Sequence, residues 1–230
     1  MEKVSTGTKV LDELLCGGYE PGIVTTVYGP ASSGKTNICL LAALSVAKSR
    51  KVIFIDTEGG ISRERLQQLS RGDKALADNI LFLKPTTFKE QMEIFNRLKD
   101  LVNEKIGIVI VDTVSMLYRA ELGNGKDVYE VNKTLGKQLS YLVEIARKRC
   151  IPVLISDQVY SNFDQREEFK LVGGDIINYT SKCLIELKKN PDGSRIAILK
   201  KHRSLPQKQI AFRITNRGIE KIKTGLLGLL

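Results

Sequence analysis

Tryptophan is absent from this 230-residue chain, and His202 is its one histidine. A single imidazole cannot assemble a histidine-based metal centre. The 4 cysteines, Cys16, Cys39, Cys150 and Cys183, lie far apart with no C-x-x-C pair, so reduced thiols are expected and neither a disulfide framework nor a zinc site. Long apolar runs are also lacking; none approaches the ~20 residues of a membrane span. The opening Met1-Glu2-Lys3-Val4-Ser5-Thr6 has no basic-then-apolar order of a secretory signal, so a cytoplasmic protein without membrane association is expected. No internal repeat, low-complexity tract or linker interrupts the chain. Its length suits one α/β domain with a full core and is short for two, which makes residues 1–230 a single expected domain. Acidic side chains are in deficit, 26 against 36 Lys and Arg, leaving a formal net charge of +10. That excess favours a polyanionic partner such as nucleic acid, and it also suits a lysine-rich solvated surface.

What is present is an alternation of strand-like and helix-like segments. Short apolar runs bounded by turn residues predict strands over Ile23–Tyr28, Val52–Asp56, Ile80–Leu83, Ile106–Asp112 and Ile151–Ser156. Between them, apolar residues at three- and four-residue spacing predict helices over Lys35–Arg50, Arg63–Ser70, Thr87–Glu104 and Asp127–Arg149. Alternation of this kind, with near-continuous apolar strands such as Ile108-Val109-Ile110-Val111, predicts an α/β fold with a mainly parallel central sheet flanked by helices. After Gly173 the pattern changes to consecutive strands, Cys183–Lys188, Arg195–Lys200 and Lys208–Ile214, separated by turns such as Asn190-Pro191-Asp192-Gly193, and predicts an antiparallel C-terminal extension. The tail Gly225-Leu226-Leu227-Gly228-Leu229-Leu230 stands out as apolar, to be packed in the core or used as a partner hook.

The strongest chemical signal is G-x-x-x-x-G-K-[ST] over Gly29-Pro30-Ala31-Ser32-Ser33-Gly34-Lys35-Thr36, directly after a strand and opening a helix. Glycines let the backbone wrap a phosphate, successive N–H groups and the positive helix end hold its oxygens, Lys35 reaches the terminal phosphates, and the Thr36 hydroxyl can ligate Mg²⁺. Asp112 ends an apolar strand, where a carboxylate can hold Mg²⁺ through water. Glu58, in Ile55-Asp56-Thr57-Glu58-Gly59-Gly60, follows the next strand and can orient an attacking water, or else be a solvated carboxylate or a cap for a helix beginning near Ser62. Gln158, at the end of another core strand, can sense a γ-phosphate and move the polar stretch after it, or simply be a satisfied strand-end residue. The basic knot Lys200-Lys201-His202-Arg203, placed after a strand, suits phosphate contact with DNA, insertion into a neighbouring subunit's ATP site, or a solvated turn.

With these residues in order, the chain from Ser5 to Lys223 resembles the RecA/RadA recombinase family, most closely a short archaeal branch of it. Ser5-Thr6-Gly7-Thr8-Lys9-Val10-Leu11-Asp12 through Gly17-Gly18 is similar to the family's opening segment, and Asp56-Thr57-Glu58-Gly59 with Glu64-Arg65-Leu66 to its catalytic-glutamate strand and the helix after it. The resemblance implies a RecA-type P-loop NTPase core, Glu58 as the water-activating base, and Arg65 stacked on adenine. Arg119-Ala120-Glu121-Leu122-Gly123-Asn124-Gly125, followed by Lys126, is similar to the first DNA-binding loop. Asp157-Gln158-Val159 opens the second and Val172-Gly173-Gly174 closes it, with Asp164, Glu167 and Glu168 between them. Lys201-His202-Arg203 is similar to the K-x-R fingers of related ring motors, a role that requires a head-to-tail homo-oligomer. The family's N-terminal helical domain and F-x-x-A filament hook have no counterpart in the sequence. The implied protein binds ATP, Mg²⁺ and DNA, in single-stranded form, and is an accessory of a RadA-type recombinase in nucleoid-associated recombination and repair, with weak DNA-dependent ATPase activity. The alternative is a ring ATPase of the helicase or KaiC type.

Overall fold

In a computed structural model that describes residues 2–123, 125, 127–161, 169–172 and 174–222, ten strands join in one sheet. In chain order the strands are β1 (Val24–Gly29), β2 (Lys51–Asp56), β3 (Ile80–Leu83), β4 (Ile106–Asp112), β5 (Val153–Ser161), β6 (Phe169–Leu171), β7 (Cys183–Lys189), β8 (Arg195–His202), β9 (Lys208–Thr215) and β10 (Gly218–Lys221). Their spatial order is β10-β9-β8-β7-β1-β5-β4-β2-β3, with β6 paired to β5 alone. From β7 to β3 every pairing is parallel, and β7 through β10 are antiparallel. The parallel sheet and its antiparallel extension are therefore as the residue pattern predicts.

Helices α1 (Lys9–Leu14), α2 (Lys35–Ala47), α3 (Arg63–Ser70), α4 (Lys74–Asp78), α5 (Phe88–Leu101), α6 (Met116–Gly123), α7 (Val128–Arg149) and α8 (Gly174–Thr180) cover the sheet. Its period-2 side chains divide between two cores. Val52, Phe54, Ile108, Ile110 and Leu154 face the layer of α1 and α2, whereas Ile53, Ile55, Val109, Val111 and Ile155 face α5 and α7. Strands buried on both faces have no polar side to alternate with, which is why they read as unbroken apolar runs.

Caps fix the helix starts. Ser62 accepts from the Arg65 amide, Thr87 from the Glu90 amide, and Asp127 from the Tyr129 amide. Thr87 and Asp127, read from the sequence as first helical residues, are thus caps. The helix predicted to reach Arg50 ends at Ala47, and the strand predicted to end at Ser156 continues to Ser161, where it pairs with β6. Gln158 consequently lies within β5. Two further expectations are corrected. Arg119–Gly123, read as the start of a loop, is the second half of α6, and Lys200–His202, read as following a strand, is the last turn-free stretch of β8 itself. Lys126, Asn124, Gly173, Asp164, Glu167, Glu168 and the tail Gly225–Leu230 lie outside the described residues.

Candidate nucleotide site

The parallel strands β1, β5, β4 and β2 deliver Gly29, Gln158, Asp112 and Asp56 to one end of the sheet, with Gly29 opposite Gln158 and Asp56 opposite Asp112 in register. Two glycines make the loop at this end sterically feasible. A Cβ on Gly29 would lie 2.5 Å from the Leu187 carbonyl oxygen, and one on Gly34, at φ 109°, would lie 2.8 Å from Ile214 Cδ1. Gly34 caps α2 without any side-chain hydrogen bond, leaving the first-turn amides directed into the loop. Ser33 Oγ is buried with no partner among the described residues.

Lys35 is only 7% exposed, and its Nζ donates to the carbonyls of Gly29 at 2.9 Å and Pro30 at 3.0 Å. Burial lowers its pKa, while Glu58, Asp112 and Asp157 oppose that shift. The Thr36 side chain lies close enough to Asp112 to lower its pKa, and Ser156 Oγ donates to Asp112 Oδ1. Burial nevertheless holds the Asp112 carboxyl above its usual range. Among the described residues no group of three or more His, Cys, Asp and Glu side chains forms a protein-only metal cage. A hydroxyl beside one carboxylate instead suits Mg²⁺, which keeps several waters and takes the rest of its ligands from phosphates. The orphaned Ser33 hydroxyl, the free first-turn amides of α2 and the buried ammonium likewise fit a polyphosphate.

Glu58 meets Gln158 here: Gln158 Nε2 donates to Glu58 Oε1 at 2.5 Å, and Thr113 Oγ1 donates to the same oxygen at 3.2 Å. Thr113 is itself held by Thr57, whose hydroxyl donates to the Thr113 carbonyl at 2.7 Å and accepts from the Thr113 amide at 3.0 Å. The ends of β2 and β4 are thereby braced beneath Glu58. At the rim, Arg65 Nε donates to Asn37 at 2.7 Å, and its Nη1 to Gln68 and the Thr215 carbonyl, each at 3.0 Å. Three acceptors hold the guanidinium plane between α2, α3 and β9, a geometry suited to stacking.

Comparison with known proteins follows the same motifs. The family model described as Rad51 matches residues 1–222. The chain belongs to the Rad51 family. It is 44% identical over 228 residues to the "DNA repair and recombination protein RadB" of Thermococcus kodakarensis, covering 96% of this chain and 100% of that one. It is 40% identical over 222 residues to the protein of the same name from Methanococcoides burtonii, covering 95% and 97%. A solved structure, "Crystal structure of the RadB recombinase", superposes with a TM-score of 0.80 at 40% identity over 96% of this chain and 100% of that chain.

Two residues of this Rad51-family site, Asp157 and Arg195, were not read from the sequence as parts of it. Asp157 is fully buried, accepts from Ser115 Oγ through Oδ1, and leaves Oδ2 without a partner among the described residues. Arg195 reaches from β8 to the Ser32 carbonyl on the loop at 3.4 Å. Strand position alone marks Asp157 as near the site, since it precedes Gln158; nothing in sequence spacing marks Arg195.

The remaining candidates lie elsewhere. Arg119 is exposed on α6. The basic knot is at the far end of the sheet, because β8 runs antiparallel to β7 and His202 stands opposite Cys183, which in turn pairs with Thr25 near the start of β1. Four residue steps of β1, Thr25 to Gly29, about 13 Å, separate His202 from the loop of its own chain. Each member of the knot already has a contact: Lys200 with Glu186 at 3.9 Å, Lys201 with the Asn178 carbonyl at 2.7 Å, and Arg203 with Glu20 at 2.7 Å. His202 Nδ1 accepts from the amides of Ser204 at 3.1 Å and Leu205 at 3.2 Å.

Proposed function

We propose that the chain binds ATP with Mg²⁺ and single-stranded DNA, and acts in DNA recombination and repair as an accessory of a RadA-type recombinase with weak ATPase activity. The observation that carries this reading is the Gln158–Glu58 hydrogen bond beside the Thr36–Asp112 pair and Lys35. These residues unite a phosphate grip, a metal-binding pair, a base and a sensor at one end of the sheet.

In this reading the amides of residues 29–36 and Lys35 hold the polyphosphate, Arg65 lies against the base, and Thr36 and Asp112 hold Mg²⁺, which when bound neutralises charge on the phosphate oxygens. Glu58 orients and deprotonates the attacking water. Gln158 exchanges its bond to Glu58 for one to the γ-phosphate, which frees Oε1 as the proton acceptor. Because Gln158 lies inside β5, that exchange pulls on the strand that leads to residues 162–168 and gives DNA contact there a dependence on nucleotide. Arg119, exposed on α6, supplies a phosphate contact, and Lys126 is a further candidate from the sequence. Among the described residues no helix is long and apolar enough to cross a membrane.

The deciding experiment is ATP turnover with and without single-stranded DNA, measured with ATP and DNA affinities for the wild type and Lys35→Ala. ATP binding lost in Lys35→Ala, with slow turnover raised by DNA in the wild type, supports the reading. Absence of single-strand binding at low salt, with and without ATP, removes it, since the phosphate-dependent contribution is greatest there. A ring motor with Lys201 and Arg203 acting in trans requires ATP-dependent head-to-tail assembly, and a persistent monomer in light scattering excludes it.

A further inference from the structure

The end of the sheet opposite the nucleotide site carries an arc of positive charge that the proposed mechanism does not use. The turn from α2 into β2 supplies Lys48, Arg50 and Lys51; the turn into β4 supplies Lys105; the last turn of α7, before β5, supplies Arg147, Lys148 and Arg149. Segments 48–51, 104–105 and 147–149 together hold seven cations and one carboxylate, Glu104. All seven cations are exposed.

Topology, not sequence proximity, makes them neighbours. The Lys51 amide donates to the Lys105 carbonyl at 2.8 Å, the Arg50 guanidinium donates to the Glu104 carbonyl at 2.8 Å, and β4 joins β5 in parallel from Val109 and Val153. A basin of ≈ 370 Å³ opens among Lys48, Arg50, Lys51, Asn79, Glu104 and Lys105. Of the seven, Lys148 alone has a carboxylate partner among the described residues, Glu144 at 2.8 Å. Two inter-strand steps give the arc a core width of about 10 Å, which the long side chains extend over several phosphates. Six residues of β4 separate it from Asp112, about 20 Å.

Chemistry selects the partner. A membrane-surface face combines cations with inserted apolar side chains, but the exposed large hydrophobic residues, Leu81, Met116, Val128, Tyr129 and Tyr179, are all outside these three segments. The segments also contain no aromatic residue on which an unpaired base would stack. Cations without aromatic platforms recognise the backbone of a duplex, where phosphate charge is densest. We infer that the Lys48–Lys51, Lys105 and Arg147–Arg149 face is a second, nucleotide-independent nucleic-acid site that takes the phosphate backbone of duplex DNA. It rests on the DNA-binding reading above and adds to it: the chain would hold a duplex at one end and a single strand, under ATP control, at the other.

The test compares the wild type, the triple variant Lys51→Ala/Lys105→Ala/Arg149→Ala and a charge-matched control, Lys9→Ala/Lys84→Ala/Lys89→Ala. Anisotropy of a labelled duplex and of a labelled single strand is followed across a KCl series, without nucleotide and with ATP. The face variant is expected to lose at least about tenfold in nucleotide-free duplex affinity at low salt and to flatten the log–log salt slope by about 3, from roughly 0.9 per lost contact. Its ATP affinity and ATP-dependent single-strand binding stay at wild-type levels, and the control variant changes little. Equal losses in both triple variants, or duplex affinity of the face variant within twofold of wild type, overturn the inference while leaving single-strand binding, and hence the proposed function, standing. Loss of retention on phosphatidylglycerol vesicles with duplex binding intact would overturn it in favour of a membrane face. A wild type that binds neither form of DNA at low salt removes both readings together.

Discussion

Asp157 is the residue whose replacement tests the electrostatics of the site most directly. It stands on β5 opposite Tyr28, has no solvent exposure, and offers Oδ1 to Ser115 while Oδ2 meets no donor among the described residues. Burial raises its carboxyl well above the usual range, against the opposing effects of Ser115, the Gln158 amide and Lys35. A group whose folded pKa is raised stabilises the fold below its unfolded pKa and loses that contribution as pH climbs through the folded value. Asp157→Asn keeps an oxygen for Ser115 and removes the titration. An unsatisfied buried polar group costs about 1–3 kcal/mol and a charged one more, part of which an unpaired amide retains, so a gain of about 1–2 kcal/mol is expected at pH 8. For a chain of this size that is a rise in Tm of roughly 2–6 °C. The difference should shrink as pH falls towards ~3.9, the ordinary carboxylate pKa, where the wild-type group is protonated in the folded state and about half protonated in the unfolded one. Melting curves of both proteins at pH 4, 6 and 8 provide the measurement, and other titrating groups cancel in the comparison. A variant less stable at pH 8 would show that ionised Asp157 is a needed partner of Lys35, and an offset equal at every pH would show that its titration does not bear on stability; either result refutes the raised carboxyl as a cost to the fold.

Four further outcomes are expected. Glu58→Gln should bind ATP within a few-fold of wild type and lose about 10²-fold or more of any turnover, the usual contribution of a general base; unchanged turnover would remove Glu58 from the chemistry. Lys35→Ala should abolish ATP binding measured by titration calorimetry, and retention of micromolar affinity would mean that the loop amides suffice. Gln158→Ala should keep ATP affinity but lose the effect of ATP on single-strand binding, whereas a preserved effect would place the sensor elsewhere. Gly29→Ala sets a Cβ 2.5 Å from a backbone oxygen and should cost about 1–3 kcal/mol, lowering Tm by several degrees; a shift under 1 °C would mean that the loop relaxes freely.

Legibility from sequence tracked the physical origin of each feature. Strands β2 and β4 were readable because burial on both faces forces unbroken apolar runs, and Gly29–Thr36 because a phosphate loop tolerates few residue types. The short helices α1, α4 and α8, of 6, 5 and 7 residues, span too few turns to establish a 3.6-residue period. Arg119–Gly123 read as loop from its resemblance to the family's first DNA-binding loop, yet packing of Leu117 and Tyr118 into the core makes it helical. Long-range contacts were the least visible. Arg195 on Ser32 and Ser115 on Asp157 depend on strand order β8-β7-β1-β5-β4, which no local spacing encodes.

The internal partners of the basic knot do not by themselves decide what it contacts. Arg203 and Lys200 are about half exposed, at 55% and 44% of their side-chain surface, and exposed ion pairs of this kind contribute about 0–1 kcal/mol. A phosphate approaching from solvent can therefore compete for either cation at little cost. Geometry is the stronger constraint. With the knot most of a strand length away from its own loop, nucleotide contact demands a second chain, while DNA contact demands none. The knot and the cation arc share the far end of the sheet, separated by the starts of β7 and β1. A duplex backbone long enough to cross those strands can meet both. Assembly state thus divides the two readings of Lys201 and Arg203: in a monomer they extend the duplex face, and in a head-to-tail oligomer they face the neighbouring nucleotide.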